Sequence, residues 1–369
     1  MSKPIKILVP NLGSTSLKFQ VLAMPSELVQ AKGRLERVTN YKEAVAGILA
    51  GEYRFEAVAF KTVHAGPRYR GTFLIDENVL AAMEEFLPAA PAHNAIYLEA
   101  IRAFREALPG VPLVAAFETE FHATMPAHAS RYGVPTWWRE QHGIERYGFH
   151  GASHRYIAER TAAYLGRPLE ELRIISCHLG GSSSICAIER GRSIDTTMGF
   201  SPQSGLENAT RCGDVDVFAV LFMMDKHGWT TAEARRQLAQ NGGLAGLSGI
   251  AGGDVRDLEQ AAAEGNQDAR LALDLFTYQV RKTIGAYAAA MGGLDAVAFT
   301  GGIGENSARL RSACCRGLEF LGVHLDAAKN ETDSGDRLIS PSEAPVAVLA
   351  LATNEELIVA RRAYRLLAG

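Results

Sequence analysis

The chain is short of cysteine, of long apolar runs and of excess charge, and each shortage removes a class of protein. It has five cysteines, Cys177, Cys186, Cys212, Cys314 and Cys315. The number is odd, no Cys-x-x-Cys occurs and two are adjacent, which argues against a disulfide framework or a zinc site and for reduced thiols. No apolar run is long enough to span a bilayer; the nearest, Thr283 to Phe299, is interrupted by Gly292, Gly293 and Asp295. The start, Met1 to Lys6, lacks the apolar core of a signal peptide, so a cytoplasmic protein is expected. The formal net charge is only −3, so neither a basic nucleic-acid face nor an acidic tail is expected. The common nucleotide signatures are also missing. There is no G-x-x-x-x-G-K-[ST], Gly302-Ile303-Gly304 does not extend to G-x-G-x-x-G, and the protein-kinase set is absent.

What is present is a chain of 369 residues, 47% hydrophobic and 21% charged. That is globular composition, and the length exceeds the roughly 250–300 residues at which a single core stops growing, so two domains are expected. The N-terminus reads as a hairpin. Ile5, Ile7 and Val9 alternate, Asn11 to Ser16 supplies turn chemistry, and Leu17 to Leu22 resumes an extended pattern. The same object recurs at Leu172 to Ser183, which aligns without gaps on Ile5 to Ser16: Ile7, Leu12, Gly13 and Ser16 return as Ile174, Leu179, Gly180 and Ser183. Ala57-Val58-Ala59-Phe60 returns as Ala296-Val297-Ala298-Phe299. The two echoes together predict an internal duplication.

Apolar spacing near 3.6 predicts helices over Glu77–Phe86, Asn94–Leu108, Ser153–Leu165, Asp254–Glu264 and Gln267–Met291. Ser153 is the expected cap of its helix, and Gly292-Gly293 the expected end of the long one. Val114–Phe117 and Val346–Leu351 read as buried strands, and a last helix over Asn354–Leu367 is expected to return to the first half. Strands and helices alternating through both halves predict two α/β domains with a cleft between them. Three Gly-containing turns follow apolar strands: Asn11 to Ser16, His178 to Ser183, and Thr300 to Asn306. Such turns aim backbone N–H groups at an anion, and the third precedes a helix, which suits a nucleotide.

Several blocks resemble the acetate kinase family. They are Asn11-Leu12-Gly13-Ser14-Thr15-Ser16-Leu17-Lys18-Phe19, Phe121 to Pro126, Arg146-Tyr147-Gly148-Phe149-His150-Gly151, Thr210-Arg211-Cys212-Gly213-Asp214, Phe299 to Ser307 and Thr353-Asn354-Glu355-Glu356. They occur in family order over nearly the whole chain. The resemblance implies a duplicated α/β fold of the actin, Hsp70 and sugar-kinase kind with an interdomain cleft. It implies an N-terminal domain over 1–147 joined by the C-terminal helix (about 355–369), and a nucleotide-binding and dimerising domain over 148–354. It also implies ATP-dependent, reversible phosphorylation of a short-chain carboxylate, with ATP/ADP as co-substrate, Mg2+ or Mn2+ as metal, and a homodimer.

The chemistry such a reaction needs is positioning and charge neutralisation rather than a strong base, because a carboxylate acceptor is already ionised. The resemblance assigns Arg211 to the transition-state charge, His150 to an equatorial phosphoryl oxygen and Glu118 to the catalytic acidic position. Lys61, Val63, Ala92, His93, Phe149 and Pro202 fall on the substrate. Lys18, His178, Leu179, Gly180, Gly181, Ser182, Asp254, Val255, Arg256, Gly302, Ile303, Gly304, Glu305 and Asn306 fall on the nucleotide, and Asn11 and Glu355 on the metal. His150 and His154 are four residues apart, but Gly151 follows the first and no acidic residue lies between them, which argues against a zinc pair.

The chain departs from the family at several of these positions. Lys61 stands for an arginine and loses its fork. Glu118 stands for an aspartate and is one methylene longer, so mutual compensation between Lys61 and Glu118 is expected. Gly181-Ser182 replaces Asn-Gly in the second loop. Ala92 replaces a leucine of the acyl pocket, which predicts an acid larger than acetate. A different phosphoryl donor or acceptor, or a nucleotide- or acyl-phosphate-binding protein without turnover, are the alternative readings.

Overall fold

The computed structural model describes residues 3–13, 16–38, 40–332 and 335–369. Ser14 and Thr15 of the first loop lie outside the described residues, as does the side chain of Ala92.

Two six-stranded sheets carry the chain. The first contains β1 (Ile5–Leu12), β2 (Ser16–Met24), β3 (Leu28–Glu36), β4 (Ala57–Phe60), β5 (Thr72–Leu74) and β6 (Leu113–Ala116), in the order β3-β2-β1-β4-β6-β5. The second contains β7 (Arg173–His178), β8 (Ser184–Glu189), β9 (Arg192–Thr196), β10 (Ala296–Thr300), β11 (Arg337–Leu338) and β12 (Ala347–Ala350), in the order β9-β8-β7-β10-β12-β11. Strand for strand the pairings agree: β1 and β7 each pair antiparallel with the following strand and parallel with β4 and β10. The duplication read from two short echoes is therefore a duplication of a whole sheet. The central strands β4, β6, β10 and β12 lie between covering layers, which is why they read as unbroken apolar runs. The edge strand β3 alternates exposed and half-buried residues and carries no such run.

The predicted helices form with shifted ends. Pro91 opens the helix Pro91–Ala107, earlier than Asn94, because proline suits the first turn. The helix Gly151–Leu165 also starts early, and Ser153 is not its cap. The cap position belongs to His150, at φ 56°, and Ser153 lies inside the first turn with its hydroxyl turned to His178. The long helix Gln267–Ala290 ends before Gly292, which turns at φ 63°.

The C-terminal helix Glu355–Ala368 packs on the first sheet. Val359, Ala360 and Ala363 bury against Ile7, Val9, Ala57, Ala59, Val114 and Ala116. The buried Arg362 guanidinium donates to Thr72 Oγ1 (3.0 Å) and to the Gly71 and Phe117 carbonyls (3.1 and 2.9 Å), and pairs with Glu120. The adjacent Arg361 pairs with Glu27 of the first half (2.6 Å) and Glu159 of the second (2.6 Å). Among the described residues no helix is long and apolar enough to cross a membrane.

This topology decides where chemistry can collect. β1, β4 and β6 run parallel, as do β7, β10 and β12, and the carboxyl ends of parallel strands open the crevices of α/β sheets. Asn11 lies at the end of β1, Lys61 just beyond β4 and Glu118 just beyond β6. His178 ends β7, Gly301 follows β10, and Glu355 follows β12 by a short turn.

Candidate active site

The glycine-rich turns after β7 and β10 are laced to each other. Leu179 donates its N–H to the Thr300 carbonyl (2.8 Å), and its own carbonyl accepts from Ile303 and Gly304 (2.9 and 3.1 Å). Gly301 is required here: its φ is 78°, and a Cβ would stand 2.6 Å from the Leu179 carbonyl oxygen. Asn208 takes the Ser183 N–H on its Oδ1 at 2.5 Å, and the Ala209 N–H reaches the Gly181 carbonyl (3.1 Å), which fixes the second loop from the other side.

In front of these turns lies a cavity of about 630 Å³. Gly180, Gly181, Asp254, Val255, Arg256, Gly302, Ile303 and Asn306 line it, with Ala209, Gly252, Gly253, Glu259 and Ser307. Eight residues expected on a nucleotide thus meet at one opening, from three separate stretches of chain. A side chain on Gly181 or Gly302 would project into open space, so both backbones are bare toward the cavity. Asp254 caps the helix Val255–Ala263 and receives two bonds from the Arg256 guanidinium (3.0 and 2.6 Å).

The remaining expected nucleotide residues stand elsewhere. Gly304 packs against the Phe299 backbone, and the Glu305 carboxylate turns back to the Gly301 N–H (3.0 Å). Leu179 is fully buried, and His178 points to a histidine cluster described below. Ser182 is half-buried off the cavity wall. Lys18 is exposed on β2, directly across the hairpin from Asn11. The turn after β10 offers less than a helix N-terminus promises, since the Gly301, Ile303 and Gly304 N–H groups are already used within the fold.

Lys61, Glu118 and Glu355 meet at the edge of the first sheet. Lys61 Nζ lies 2.6 Å from Glu355 Oε2, with 18% and 12% of the two side chains exposed. Burial opposes the charge on Lys61, but Glu355 and then Glu118 outweigh it and hold the ammonium above its usual range. Lys61 in turn holds Glu355 low against the pull of burial. Glu118 is pushed up to about 7 by burial, which Lys61 only partly offsets and Glu355 reinforces. The Glu118 carboxylate accepts from the His150 N–H, and its Oε1 has no partner. Lys61 thus forms its ion pair with Glu355 while still acting electrostatically on Glu118 beside it. The Glu118 carboxylate accepts from the His150 backbone N–H, which adds to the pull of Lys61 and Arg362.

Oxygen donors suitable for a hard divalent cation are present. Asn11 commits its Nδ2 to Glu356 Oε1 (2.8 Å), and its side-chain oxygen has no hydrogen-bond partner among the described residues. Glu355 Oε1 is buried with no partner. Asn11 Oδ1 and Glu355 Oε1 fit a metal that prefers oxygen and keeps several waters.

Among the described residues the Arg211 side chain makes one hydrogen bond, from Nη1 to the Pro202 carbonyl at 2.5 Å, and burial lowers it to about 10. Burial, with Arg211 and Lys61 nearby, pushes His93 down to about 4, so it is neutral at pH 7. Val63 and Phe149 are buried in one apolar cluster beneath these charges.

His150 belongs to a set of four buried or half-buried imidazoles. Its ring stacks on His178 at 4.3 Å, and its Nδ1 meets Ser184 Oγ at 2.8 Å. His154 Nε2 meets the same Ser184 oxygen at 2.8 Å, and its Nδ1 meets Ser176 Oγ at 2.9 Å. His122 donates from Nε2 to the Phe149 carbonyl (2.9 Å) and faces Ser193 (2.8 Å). Burial first, then the neighbouring imidazoles, hold His150 well below the ordinary value, so it is neutral.

No site role was expected from the sequence for Tyr97, Ser153, Ser176, Ser184, Asn208, Thr353 or Glu356. Tyr97 interacts with Lys61, Glu118 and Glu355, and its neutral form is favoured by burial. Ser153 Oγ joins His178 Nδ1 (2.8 Å) to Thr353 Oγ1 (2.9 Å). The run Ser182-Ser183-Ser184 was the available signal for the serines. Nothing local marks Tyr97, which is one apolar position of an amphipathic helix.

The comparisons with known proteins follow the same lines. The chain is 43% identical over 397 aligned positions to an acetate kinase of Heliobacterium modesticaldum, covering 98% of this chain and all of that one. It is 43% identical to another of Geobacillus kaustophilus, over 98% of this chain and 99% of that one. Among solved structures, acetate kinase from Porphyromonas gingivalis superposes with a TM-score of 0.88 at 35% identity, covering 98% of this chain and 100% of that one. A propionate kinase from Francisella tularensis gives 0.89 at 32%, over 98% and 99%. The family profile described as "Acetokinase family" matches residues 46–361, which is most of the two sheets and the cleft residues between them, and the chain belongs to that family.

Proposed function

We propose that the chain transfers the γ-phosphoryl group of ATP to the carboxylate of a short-chain acid, reversibly and by direct in-line displacement. A carboxylate oxygen forms the new bond to phosphorus, the bond from phosphorus to the β,γ-bridging oxygen breaks, and an acyl phosphate and ADP result. The observation that carries this reading is the adjacency of an open cavity lined by bare glycine backbone and a group of neutral imidazoles and cations. Ala209 lines the cavity and Arg211 follows two residues on, within electrostatic reach of His93 and His150.

Each group has a role that its surroundings suit. Arg211 offers donors to the equatorial oxygens as charge spreads over them, and a site shielded from water strengthens that interaction. Neutral His150 offers one N–H to the same oxygens without adding charge. Lys61 and His93 face the acceptor carboxylate, while Val63 and Phe149 supply an apolar floor for its alkyl end. A divalent cation held by Asn11 and Glu355 supplies neutralisation of the phosphate charge, and we expect Mg2+ or Mn2+ there.

The propionate kinase resemblance and the alanine at position 92 both support an acid somewhat larger than acetate. The chain is proposed to work as a homodimer in the cytoplasm. The helix Val217–His227 buries none of its residues and exposes Val217 (63%), Phe218 (75%) and Phe222 (62%). An apolar face of that kind suits a second copy of the chain. All five cysteines are free, as a reducing compartment keeps them.

The test is a hydroxamate assay with Mg-ATP and formate, acetate, propionate, butyrate and glycolate, against an R211A control. Acyl phosphate above the control identifies the acid. Folded protein that binds ATP yet makes no product with any acid overturns the reading.

A further inference from the structure

His150 Nδ1, Ser184 Oγ, His154 Nε2, His154 Nδ1 and Ser176 Oγ form an unbroken chain of contacts at 2.8, 2.8 and 2.9 Å. Ser176, Ser184 and His154 are completely buried. Both rings are held neutral, by burial first and then by neighbouring imidazoles, so each carries a single N–H. Hydrogen-bond bookkeeping then leaves one arrangement. Ser176 Oγ has no hydrogen-bond partner among the described residues other than His154 Nδ1. Its hydroxyl hydrogen must point there, because a buried hydroxyl without an acceptor is strongly avoided. His154 Nδ1 is therefore an acceptor and Nε2 carries the hydrogen. That hydrogen goes to Ser184 Oγ, whose own hydrogen has one acceptor left, His150 Nδ1. His150 thus carries its hydrogen on Nε2. That nitrogen makes no hydrogen bond to any described residue, and the ring is only half-buried. If the chain ran the other way, the Ser176 hydroxyl would be orphaned. If both rings donated to Ser184, the Ser184 hydroxyl would be.

We infer that Ser176, His154 and Ser184 are positioning residues that set the tautomer of His150, so that Nε2–H and not a bare nitrogen lone pair faces the transferring phosphoryl group. The inference rests on the proposed role of His150, and it deepens it. A bare lone pair there would repel the anionic oxygens instead of donating to them. None of the three residues needs to touch substrate, and Ser176 stands two side chains back from His150.

The experiment uses the full chain with its histidines labelled with 15N, and reads imidazole nitrogen shifts and two-bond couplings together with steady-state kinetics. The wild type should show His150 and His154 as Nε2–H tautomers. S184A should convert His150 to a mixture and lower kcat about tenfold or more with little change in either KM. S176A should do the same to a smaller extent from its greater distance. H154Q keeps an amide N–H near the place of Nε2–H and should retain more activity than H154A. His150 found as the Nδ1–H tautomer overturns the inference whatever the kinetics. So does a wild-type kcat in both S184A and S176A while H150A is inactive. An active H150A would instead overturn the role given to His150 itself. Should S184A fail to fold, S176A and the wild-type spectrum still decide the question.

Discussion

Replacing Lys61 by methionine removes a buried cation and keeps its alkyl stem. In the wild type the Nζ–Glu355 Oε2 contact is 2.6 Å, and the two side chains are 18% and 12% exposed. Removing one partner of a buried ion pair costs roughly 3–5 kcal/mol, chiefly because the other charge is stranded. The residual exposure places this case near the lower bound, about 3 kcal/mol. The pH dependence identifies the cause. Lys61 holds Glu355 below its ordinary value, so the wild-type contribution is present above the unfolded value, about 4.3, and is lost only as pH falls through the lower folded value. In K61M burial is opposed only by His178, and Glu355 rises instead. Its contribution is then full below about 4.3 and is lost as pH rises through the new folded value. The gap between wild type and K61M should therefore already be open at pH 5, and widen to approach about 3 kcal/mol by pH 8. Thermal melts in EDTA read this as roughly 6–12 °C, at about 2–4 °C per kcal/mol for a unit of this size. Adding E355Q to K61M should return most of the loss. A gap that is the same at pH 5 and pH 8, or a K61M/E355Q double variant no more stable than K61M, would refute the reasoning.

Among the described residues the Arg211 side chain makes one hydrogen bond, so R211A should melt within a degree or two of the wild type while kcat falls about a thousandfold or more, as for arginines that stabilise phosphoryl transfer. G302V adds a side chain to open cavity and should raise KM for ATP at least tenfold without lowering the melting temperature. In contrast, G301A meets the Leu179 carbonyl at φ 78° and should cost about 1–3 kcal/mol in urea unfolding. Glu118 is raised to about 7 by burial, so its contribution is full below about 4.3 and is lost as pH climbs through 7. Melting temperatures of E118Q should fall less steeply than the wild type's between pH 5 and 8, and parallel curves would rule this out.

How much of this was legible in the sequence depended on whether the information was local. Buried parallel strands such as Ala57–Phe60 and Ala296–Thr300 announce themselves as apolar runs, and comparing them exposed the duplication. The edge strands β3, β5, β9 and β11 did not, because their residues alternate weakly or are too few. Glycines at the cavity were found through their turns. The use of the Ile303 and Gly304 amides was not, since it depends on the Leu179 carbonyl, more than a hundred residues away in sequence. Ser153 illustrates a rule that tertiary contacts override. It is an eligible cap by type, yet a positive φ at His150 starts the helix earlier and frees Ser153 to hold His178. The pairing of Lys61 with Glu355 rather than Glu118 joins residues 294 apart, and no pattern in either neighbourhood encodes it.

The C-terminal helix also governs the order in which the molecule can be finished during synthesis. One face of the first sheet is closed by Val359, Ala360 and Ala363, and the loops at its edge are tied by Arg362. The ribosome completes β6 long before it reaches these residues. At about 5–20 residues per second, the nascent first half waits roughly 10–50 s with Ile7, Val9, Ala57 and Val114 uncovered. During that wait its apolar face is open to chaperones and to other nascent chains. The first half to leave the ribosome is therefore the last to be sealed, and damage to the final helix should appear as misfolding of the N-terminal sheet rather than as loss of a tail.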